Sequence, residues 1–232
     1  MTLVEGEPGV APAKSRFDAE AFIRARMHVA PLSAVPEIRL YVAHPGSRLS
    51  LLARPGEAGA GSPPPYWAYP WAGGLVLARY FLDRPATVRG RRVLDLGAGS
   101  GLVGIAAAKA GASAVIATET DRNALVSIDL NARENGVAIQ ILGEDITGDP
   151  PPPVDLLAVG DMFYDPALAE RVTAFLGRCL DAGIEVLIGD PGRAYLPRAR
   201  LRALAEYRVP DFGTVRQAES KPSTVFTLEP SR

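Results

Sequence analysis

The sequence predicts an α/β fold built on a doubly wound, seven-stranded sheet. Residues 93–111 read VLDLGAGSGLVGIAAAKAG, an apolar strand that passes through closely spaced glycines into an alanine-rich helix. Further short apolar runs alternate with helical patterns as far as residue 188, which is typical of parallel strands joined by crossover helices. Hydrophobic residues make up 47% of the 232 residues, enough to cover both faces of such a sheet.

Most strands of this sheet are expected in the middle of the chain. Five buried parallel strands are predicted at 93–94, 114–118, 138–142, 154–159 and 184–188. Two further strands are expected to follow, because residues 224–228 near the C-terminus alternate like an edge strand. Residues 167–180 and 196–206 predict helices between these strands.

An extension is predicted in front of the sheet. Residues 17–28 show a short helical pattern, and two extended runs at 38–43 and 49–54 flank His44-Pro45-Gly46-Ser47. Two extended runs around a turn sequence indicate a β-hairpin. The extension is therefore expected to be one helix followed by one hairpin.

These patterns divide the chain into three parts. Residues 1–16 are rich in glycine, proline and alanine and are expected to be disordered. The helix and hairpin extension is expected to cover 17–65, and the main domain 66–232.

Three glycines alternate directly after the strand at residue 93. Gly97, Gly99 and Gly101 allow a tight turn and let backbone amides approach a ligand. In open α/β sheets, ligands bind at the carboxyl ends of the strands. The first backbone amides of the helix that follows the strand point toward this position. Gly99, Gly101 and Gly104 also fit the G-x-G-x-x-G pattern of dinucleotide sites. The glycines alone therefore leave an NAD-type oxidoreductase open.

Asp95 separates the two possibilities. It precedes the first glycine by two residues, and the resulting D-x-G-x-G-x-G run resembles the S-adenosylmethionine motif of class I methyltransferases. The loop starts almost 100 residues into the chain, whereas dehydrogenases normally carry theirs near the N-terminus. The resemblance implies that Asp95, Gly97, Gly99 and Gly101 contact S-adenosylmethionine.

Acidic residues also end the next two strands. Glu119 follows the second strand, where a carboxylate can accept hydrogen bonds from both ribose hydroxyls, and Asp121 is expected to cap the following helix. In the methyltransferase pattern, an acid after the third strand faces the adenine amino group. Asp145 is assigned this role, with Glu144 and a merely solvated loop acid as alternatives.

Four aromatic residues crowd into six positions upstream of the glycine loop. Tyr66, Trp67, Tyr69 and Trp71 do not follow helical spacing. They form either a plug that packs the hairpin on the sheet or an aromatic wall beside the cofactor. An aromatic wall attracts cations such as a sulfonium or a lysine ammonium, so Trp67 and Trp71 are assigned to the cofactor site.

The segment VGDMFYD (159–165) follows the fourth strand. It places Asp161 and Tyr164 at the carboxyl end of that strand, beside the glycine loop. Many amine-methylating enzymes carry an N-P-P-Y-type motif here, and a carboxylate in the first position suits a cationic amine. Asp161 is expected to orient the amine next to the cofactor, and Tyr164 to hydrogen-bond its nitrogen. The alternative is that Asp161 only caps the loop.

Together the motifs resemble those of the seven-β-strand, class I protein lysine methyltransferases. Within this family, PPYWAYPWAGG, YFLDRPATVRG, VGDMFYD and LIGDPGR are most similar to the members that modify the electron transfer flavoprotein β-subunit. The resemblance covers about residues 37–230 and implies a Rossmann-like methyltransferase sheet. It departs from the pattern at Glu119-Thr120-Asp121, where Asp-x-Asp is expected.

The resemblance implies methyl transfer from S-adenosylmethionine to protein lysine side chains, with the flavoprotein β-subunit as the partner. The alternatives are lysine methylation of a ribosomal protein, methylation of a small molecule, an NAD-type oxidoreductase and a catalytically idle binding module.

Composition excludes several other classes. A formal net charge of −1 gives no general attraction to nucleic acid. A single cysteine, Cys179, excludes a disulfide and a thiolate metal site, and no metal is expected. His28 and His44 lie far from the glycine loop in sequence, so a histidine base is not expected.

Location and assembly are also predicted. The sequence contains neither an apolar run of the ~18 residues that a transmembrane helix needs nor a signal peptide's apolar stretch. Four acidic residues among the first 20 argue against a mitochondrial presequence. A cytoplasmic monomer that does not bind membranes is expected.

Overall fold

The structure, a computed structural model, describes residues 18–52, 64–211 and 220–230. The prediction of disorder for residues 1–16 lies outside these ranges. Within the described ranges, no helix is long and apolar enough to cross a membrane.

The chain begins with the predicted helix and hairpin, but the hairpin lies earlier than expected. Helix α1 (Ala19–Arg26) is capped by the Asp18 side chain, which accepts a hydrogen bond from the Ala21 amide. Strands β1 (His28–Leu32) and β2 (Val35–Val42) then pair antiparallel in a separate two-stranded sheet.

The predicted strands at 38–43 and 49–54 therefore do not pair with each other. The turn between them is stabilised by Ser47. Its hydroxyl accepts from the His44 amide at 3.0 Å and donates to the Arg26 carbonyl, at the end of α1, at 2.7 Å. The chain continues as a 3-10 helix (Leu49–Leu52), so the strand prediction is wrong for these residues, and residues 53–54 lie outside the described ranges.

A seven-stranded sheet forms the main domain, as predicted. Its strands are β3 (Arg92–Leu96), β4 (Ala114–Thr118), β5 (Gln140–Leu142), β6 (Leu156–Gly160), β7 (Glu185–Asp190), β8 (Leu201–Pro210) and β9 (Ser220–Leu228). The strand order is β5-β4-β3-β6-β7-β9-β8. The first five strands of that order are parallel, and β9 pairs antiparallel with both β7 and β8.

The helices cover both faces of this sheet. They are α2 (Ala72–Asp83), α3 (Leu102–Lys109), α4 (Arg122–Glu134) and α5 (Pro166–Asp181). One buried apolar cluster contains side chains of α2 and α3, and another contains those of α5. The architecture is thus the doubly wound α/β sheet that the sequence predicts.

The helix predicted over 196–206 is wrong, because β8 occupies most of this range. Its alanine, leucine, arginine and glutamate residues favour a helix locally. However, β8 pairs with β9 along its whole length, and Leu204, Ala205 and Tyr207 pack against the core. Residues 224–228 do form a strand, but β9 lies inside the sheet between β7 and β8 rather than at its edge.

Helix α2 starts in close contact with the ends of β6 and β7. A Cβ atom on Gly73 would overlap the carbonyl oxygen of Gly189 and both the amide and the carboxylate of Asp161. On Gly74, the nearest atoms would be 3.7 Å away on Leu102 and 3.8 Å away on Val103, an ordinary contact. Gly73 therefore sets how closely α2 approaches the sheet.

Gly73→Ala is expected to lower the free energy of unfolding by about 1–3 kcal/mol, because the new methyl group must displace backbone atoms. Gly74→Ala is the matched control in the same helix, and it should stabilise by about 0.5–1 kcal/mol through the helical preference of alanine. Urea unfolding measures both. Equal stability of the two variants would contradict the close contact.

Candidate active site

A cavity of about 450 Å³ opens at the carboxyl ends of the parallel strands. Every site residue predicted from the sequence lines this cavity except Gly101. The lining residues are Trp67, Trp71, Asp95, Gly97, Gly99, Glu119, Asp145, Asp161 and Tyr164. The predicted residues thus border one cavity, to which four different strand ends contribute, and their roles there stay predictions.

The glycine loop needs backbone conformations that favour glycine. Gly97, Gly99 and Gly101 have φ angles of 66°, 55° and 80°, in the left-handed region. Gly101 caps α3, and a Cβ there would lie 3.1 Å from Ile128 Cγ2. Gly101 thus allows α3 to pack against α4 and does not face the cavity, whereas Gly97 and Gly99 do.

Asp95 joins the loop to the helix that follows. Its Oδ2 accepts a hydrogen bond of 2.8 Å from the Gly104 amide, and its side chain is buried. Burial raises the pKa of Asp95 to about 7, the Gly104 bond opposes this rise, and the negative charge of Glu119 adds to it. A bound cation would therefore favour the ionised form of Asp95.

Glu119 is held directly beside the glycine loop. Its Oε2 accepts a 3.0 Å hydrogen bond from the Gly99 amide, and its Oε1 accepts from the amides of Thr120 and Asp121 at 2.7 and 3.0 Å. Asp121 caps α4 as predicted, accepting from the Asn123 amide at 2.7 Å. The carboxylate of Glu119 is thereby fixed at the cavity wall.

Asp145 and Glu144 both line the cavity, so the choice between them stays a prediction. The Oδ1 of Asp145 accepts from the Thr147 hydroxyl at 2.6 Å and from its amide at 2.9 Å. These two bonds lower the pKa of Asp145, with a smaller contribution from Arg171. Asp145 is thus held in place at the cavity wall by these two bonds.

Aromatic rings form the mouth of the cavity. The ring of Tyr66 lies 5.6 Å from that of Trp71 and 5.5 Å from that of Tyr164. The Trp71 indole N–H donates to the Tyr66 carbonyl at 2.7 Å. The Trp67 side chain is buried, and its indole Nε1 has no hydrogen-bond partner in the part of the chain that the structure describes. The aromatic block is therefore a cavity wall as well as packing.

Asp161 occupies a strained position at the end of β6. Its φ is 57°, although it is not a glycine. Its Oδ1 accepts from Arg193 Nη2 at 2.7 Å and Nε at 3.0 Å, and its Oδ2 accepts from the Gly73 amide. Burial raises the pKa of Asp161 to about 6, and the Arg193 charge opposes that rise.

Arg193 is the site residue that the sequence reasoning missed. It lines the cavity from the loop after β7, and its guanidinium carbon lies 5.7 Å from the Trp71 ring centroid. The sequence did carry a signal, since Arg193 ends the LIGDPGR motif at the carboxyl end of a parallel strand. The motif supports the family resemblance, but the resemblance assigns no role to its arginine.

A family model described as lysine methyltransferase matches residues 68–195. The chain belongs to this family. The matched range of the lysine methyltransferase model contains the glycine loop, the acidic strand ends, the Asp161 segment and Arg193. The family and the cavity together indicate S-adenosylmethionine as the cofactor.

Several relatives of this chain carry a more specific name. Proteins named electron transfer flavoprotein beta subunit lysine methyltransferase are 43% identical over 155 residues in Danio rerio and 44% over 153 residues in Rattus norvegicus. These matches cover 64% and 63% of this chain, which spans 60% of the length of each relative. The Xenopus laevis protein of the same name is 42% identical, over 72% of this chain and 70% of its own.

A solved structure supports the fold of this chain. A putative RNA methyltransferase from Pyrococcus horikoshii has a TM-score of 0.53 and 17% identity, and the match covers 74% of this chain and 92% of the other. At this identity the likeness concerns the fold alone.

The charge of the cavity suits a cationic ligand. Its lining carries six carboxylate side chains, of Asp95, Glu119, Asp121, Glu144, Asp145 and Asp161. The lining carries two guanidinium groups, of Arg171 and Arg193. An excess of negative charge in a concave, partly buried site raises the local concentration of cations, and both a sulfonium and a lysine ammonium are cations.

Proposed function

We propose that this protein transfers a methyl group from S-adenosylmethionine to lysine side chains of the electron transfer flavoprotein β-subunit. The observation that carries the proposal is an acidic cavity, closed by aromatic rings, with Asp161 in its wall. The names of the relatives add the flavoprotein β-subunit as the substrate.

The cavity fits S-adenosylmethionine in three respects. The Trp67 Nε1 is a buried donor without a described partner, and such groups are costly unless a ligand or water pairs with them. The loop at Gly97 and Gly99 lets backbone approach a ligand closely, and the fixed Glu119 carboxylate offers acceptors for ribose hydroxyls. When bound, the cofactor supplies an electrophilic methyl group on a sulfonium.

The residues of the chain must then provide a neutral, oriented amine. With an ordinary lysine pKa of ~10.4, only about one amine in a thousand is neutral near pH 7.4. Desolvation by Tyr66 and Trp71 lowers the pKa of an amine held against these rings. Asp161 Oδ2 accepts one described hydrogen bond, so a lone pair remains to accept from the amine. The carboxylate orients the nitrogen toward the methyl group.

Tyr164 also borders the mouth, where its ring lies 5.5 Å from that of Tyr66. Its ring is about half exposed, at 49%, so it borders both the cavity and solvent. Burial raises the pKa of Tyr164, with Tyr66 adding to the rise. The phenol therefore stays protonated near neutral pH and hydrogen-bonds the amine nitrogen without adding charge.

Mass spectrometry of the purified β-subunit, incubated with this protein and S-adenosylmethionine, tests the proposal. Lysine peptides should gain the mass of one or more methylene groups. In a parallel incubation with a cell lysate, methylation of another protein while the β-subunit stays unmodified would overturn the substrate assignment. It would leave the proposed lysine methyltransferase activity standing. A cytoplasmic location and a monomeric state remain predictions, which fractionation and size-exclusion chromatography test.

A thermal-shift comparison tests the cofactor separately. S-adenosylhomocysteine should raise the melting temperature by an amount that grows with the logarithm of its concentration over its dissociation constant, whereas NAD should not raise it. A shift with NAD alone would favour the oxidoreductase alternative instead.

Trp67→Phe is expected to weaken S-adenosylhomocysteine binding about fivefold, because one hydrogen bond is worth about 1 kcal/mol. Trp71→Phe is the matched control, since its indole N–H is already bonded to the Tyr66 carbonyl. Isothermal titration calorimetry measures both dissociation constants. An equal loss in the two variants would show that the Trp67 N–H does not contact the ligand.

A further inference from the structure

Arg193 connects three separate parts of the molecule. Its guanidinium pairs with Asp161 at the end of β6, at 2.7 Å, and with Asp211 just beyond β8, at 3.3 Å. It also lies over the ring of Trp71, which precedes α2. Only 22% of the Arg193 side chain is exposed, so these contacts are largely shielded from water.

The loop that carries Arg193 is itself fixed. The amides of Gly192 and Arg193 both donate to Asp190 Oδ1 at 2.6 Å. The Tyr195 amide donates to the carbonyl of Phe163, in the segment next to Asp161, at 3.2 Å. The guanidinium is therefore placed by a backbone turn bonded at both ends rather than by a freely rotating side chain.

The charges around Asp161 make this placement important. Asp161, Asp190 and Asp211 are all buried, and Lys221 balances Asp211 from the far side at 3.6 Å. Arg193 is the cation that contacts Asp161 among the described residues. A buried carboxylate without a paired cation takes up a proton, and it then no longer attracts an ammonium.

We propose that Arg193 is a positioning residue for methyl transfer, which holds the Asp161 carboxylate ionised and oriented toward the cavity. The inference rests on the proposed function, because it assigns to Arg193 an effect on the group that orients the amine. It adds a residue that acts through Asp161 and does not itself touch the substrate.

The shape of arginine matters for this role. Nε and Nη2 reach Asp161 together while Nη2 also reaches Asp211. A lysine ammonium is a single point charge that cannot reproduce this fork. Lysine at this position should therefore keep Asp161 ionised but fix its orientation less well.

The experiment compares Arg193→Met and Arg193→Lys with the parent. Arg198→Met serves as the control, because Arg198 lies in the next turn and its hydrogen bond within the described ranges goes to the Gly192 carbonyl, at 3.1 Å. Methyl transfer to the flavoprotein β-subunit gives kcat, KM and the pH profile, and calorimetry gives the dissociation constant of S-adenosylhomocysteine. Carbon-detected NMR follows the titration of the Asp161 carboxyl group without any substrate.

Arg193→Met should lower kcat at least about tenfold, and should leave the dissociation constant of S-adenosylhomocysteine within a few-fold. The acid limb of its pH profile and the Asp161 titration should both move up by about one pH unit or more. Arg193→Lys should restore the titration and only part of kcat. Arg198→Met should match the parent.

Two results would overturn the inference. The first is that the parent is active and Arg193→Met keeps the same kcat and pH profile, with only a lower melting temperature. That result would show that Arg193 only stabilises the packing of the strands. The second is an Asp161 titration unchanged by Arg193→Met, whether or not any protein is methylated. A parent that methylates no protein, with the titration shifted as expected, would instead overturn the proposed function.

Discussion

Asp161→Asn is expected to lower kcat at least about 100-fold, the range in which a lost proton-handling or charge-bearing group acts. The dissociation constant of S-adenosylhomocysteine should stay within a few-fold of the parent value. Asparagine keeps the shape of the side chain and an acceptor for the Gly73 amide, but it removes the charge that attracts the amine. Asparagine also leaves no empty space next to Arg193, as alanine would, although it supplies no charge to pair with that guanidinium.

Asp165→Asn is the matched control for Asp161. Asp165 lies four residues further on and caps α5 by accepting from the Leu168 amide at 2.9 Å. Asp165→Asn should lower the free energy of unfolding slightly and change kcat very little. Steady-state kinetics decides between the two possible roles of Asp161. A rate of Asp161→Asn within a few-fold of the parent would show that Asp161 serves only to fix the start of α2.

The free energy of unfolding of Asp161→Asn should depend on pH differently from that of the parent. The pKa of Asp161 is raised from 3.8 to about 6 in the folded protein, so between these values the folded state binds more protons than the unfolded state. The Asp161 contribution to the free energy of unfolding therefore falls as pH rises from about 4 to 6. Asp161→Asn should lose this slope, and urea unfolding at several pH values measures it.

Glu119→Ala is expected to weaken cofactor binding about 100-fold or more, because hydrogen bonds to a charged group are worth about 1.5–3 kcal/mol each. The carboxylate is placed for two such bonds to the ribose by its contacts with the Gly99, Thr120 and Asp121 amides. The protein should remain folded, since Glu119 lies at the cavity wall and outside the apolar core.

Glu119→Gln provides the graded comparison. It keeps the size of the side chain and one acceptor oxygen, so its dissociation constant should lie between those of the parent and Glu119→Ala. Calorimetry with S-adenosylmethionine measures all three proteins. An unchanged affinity in Glu119→Ala would mean that this carboxylate only holds the glycine loop.

The site was largely predictable because its residues stand at strand ends. Asp95, Glu119 and Asp161 each follow an apolar run, and the carboxyl ends of parallel strands meet at one edge of a sheet. The helix caps Asp121 and Asp165 were predictable for a local reason, since each precedes its helix directly.

The remaining features depend on contacts that local patterns do not contain. The residues of β8 favour a helix until β9 pairs with them, and the hairpin of β1 and β2 begins within a stretch read as the end of a helix. The bond between Arg193 and Asp161 joins residues 32 positions apart, and no spacing rule indicates it. The close approach of Gly73 to Gly189 likewise follows only from the packing of α2 on β7.

The order β7-β9-β8 constrains the sequence in which a nascent chain can assemble the sheet. Strand β8 leaves the ribosome before β9, yet it pairs with β9 and not with β7. The edge of β7 therefore stays open during synthesis until β9 emerges, and an open strand edge invites pairing with other chains. Asp211 also reaches Arg193 only when this hairpin docks. A partly synthesised chain therefore exposes the β7 edge and still lacks the contact between Asp211 and Arg193.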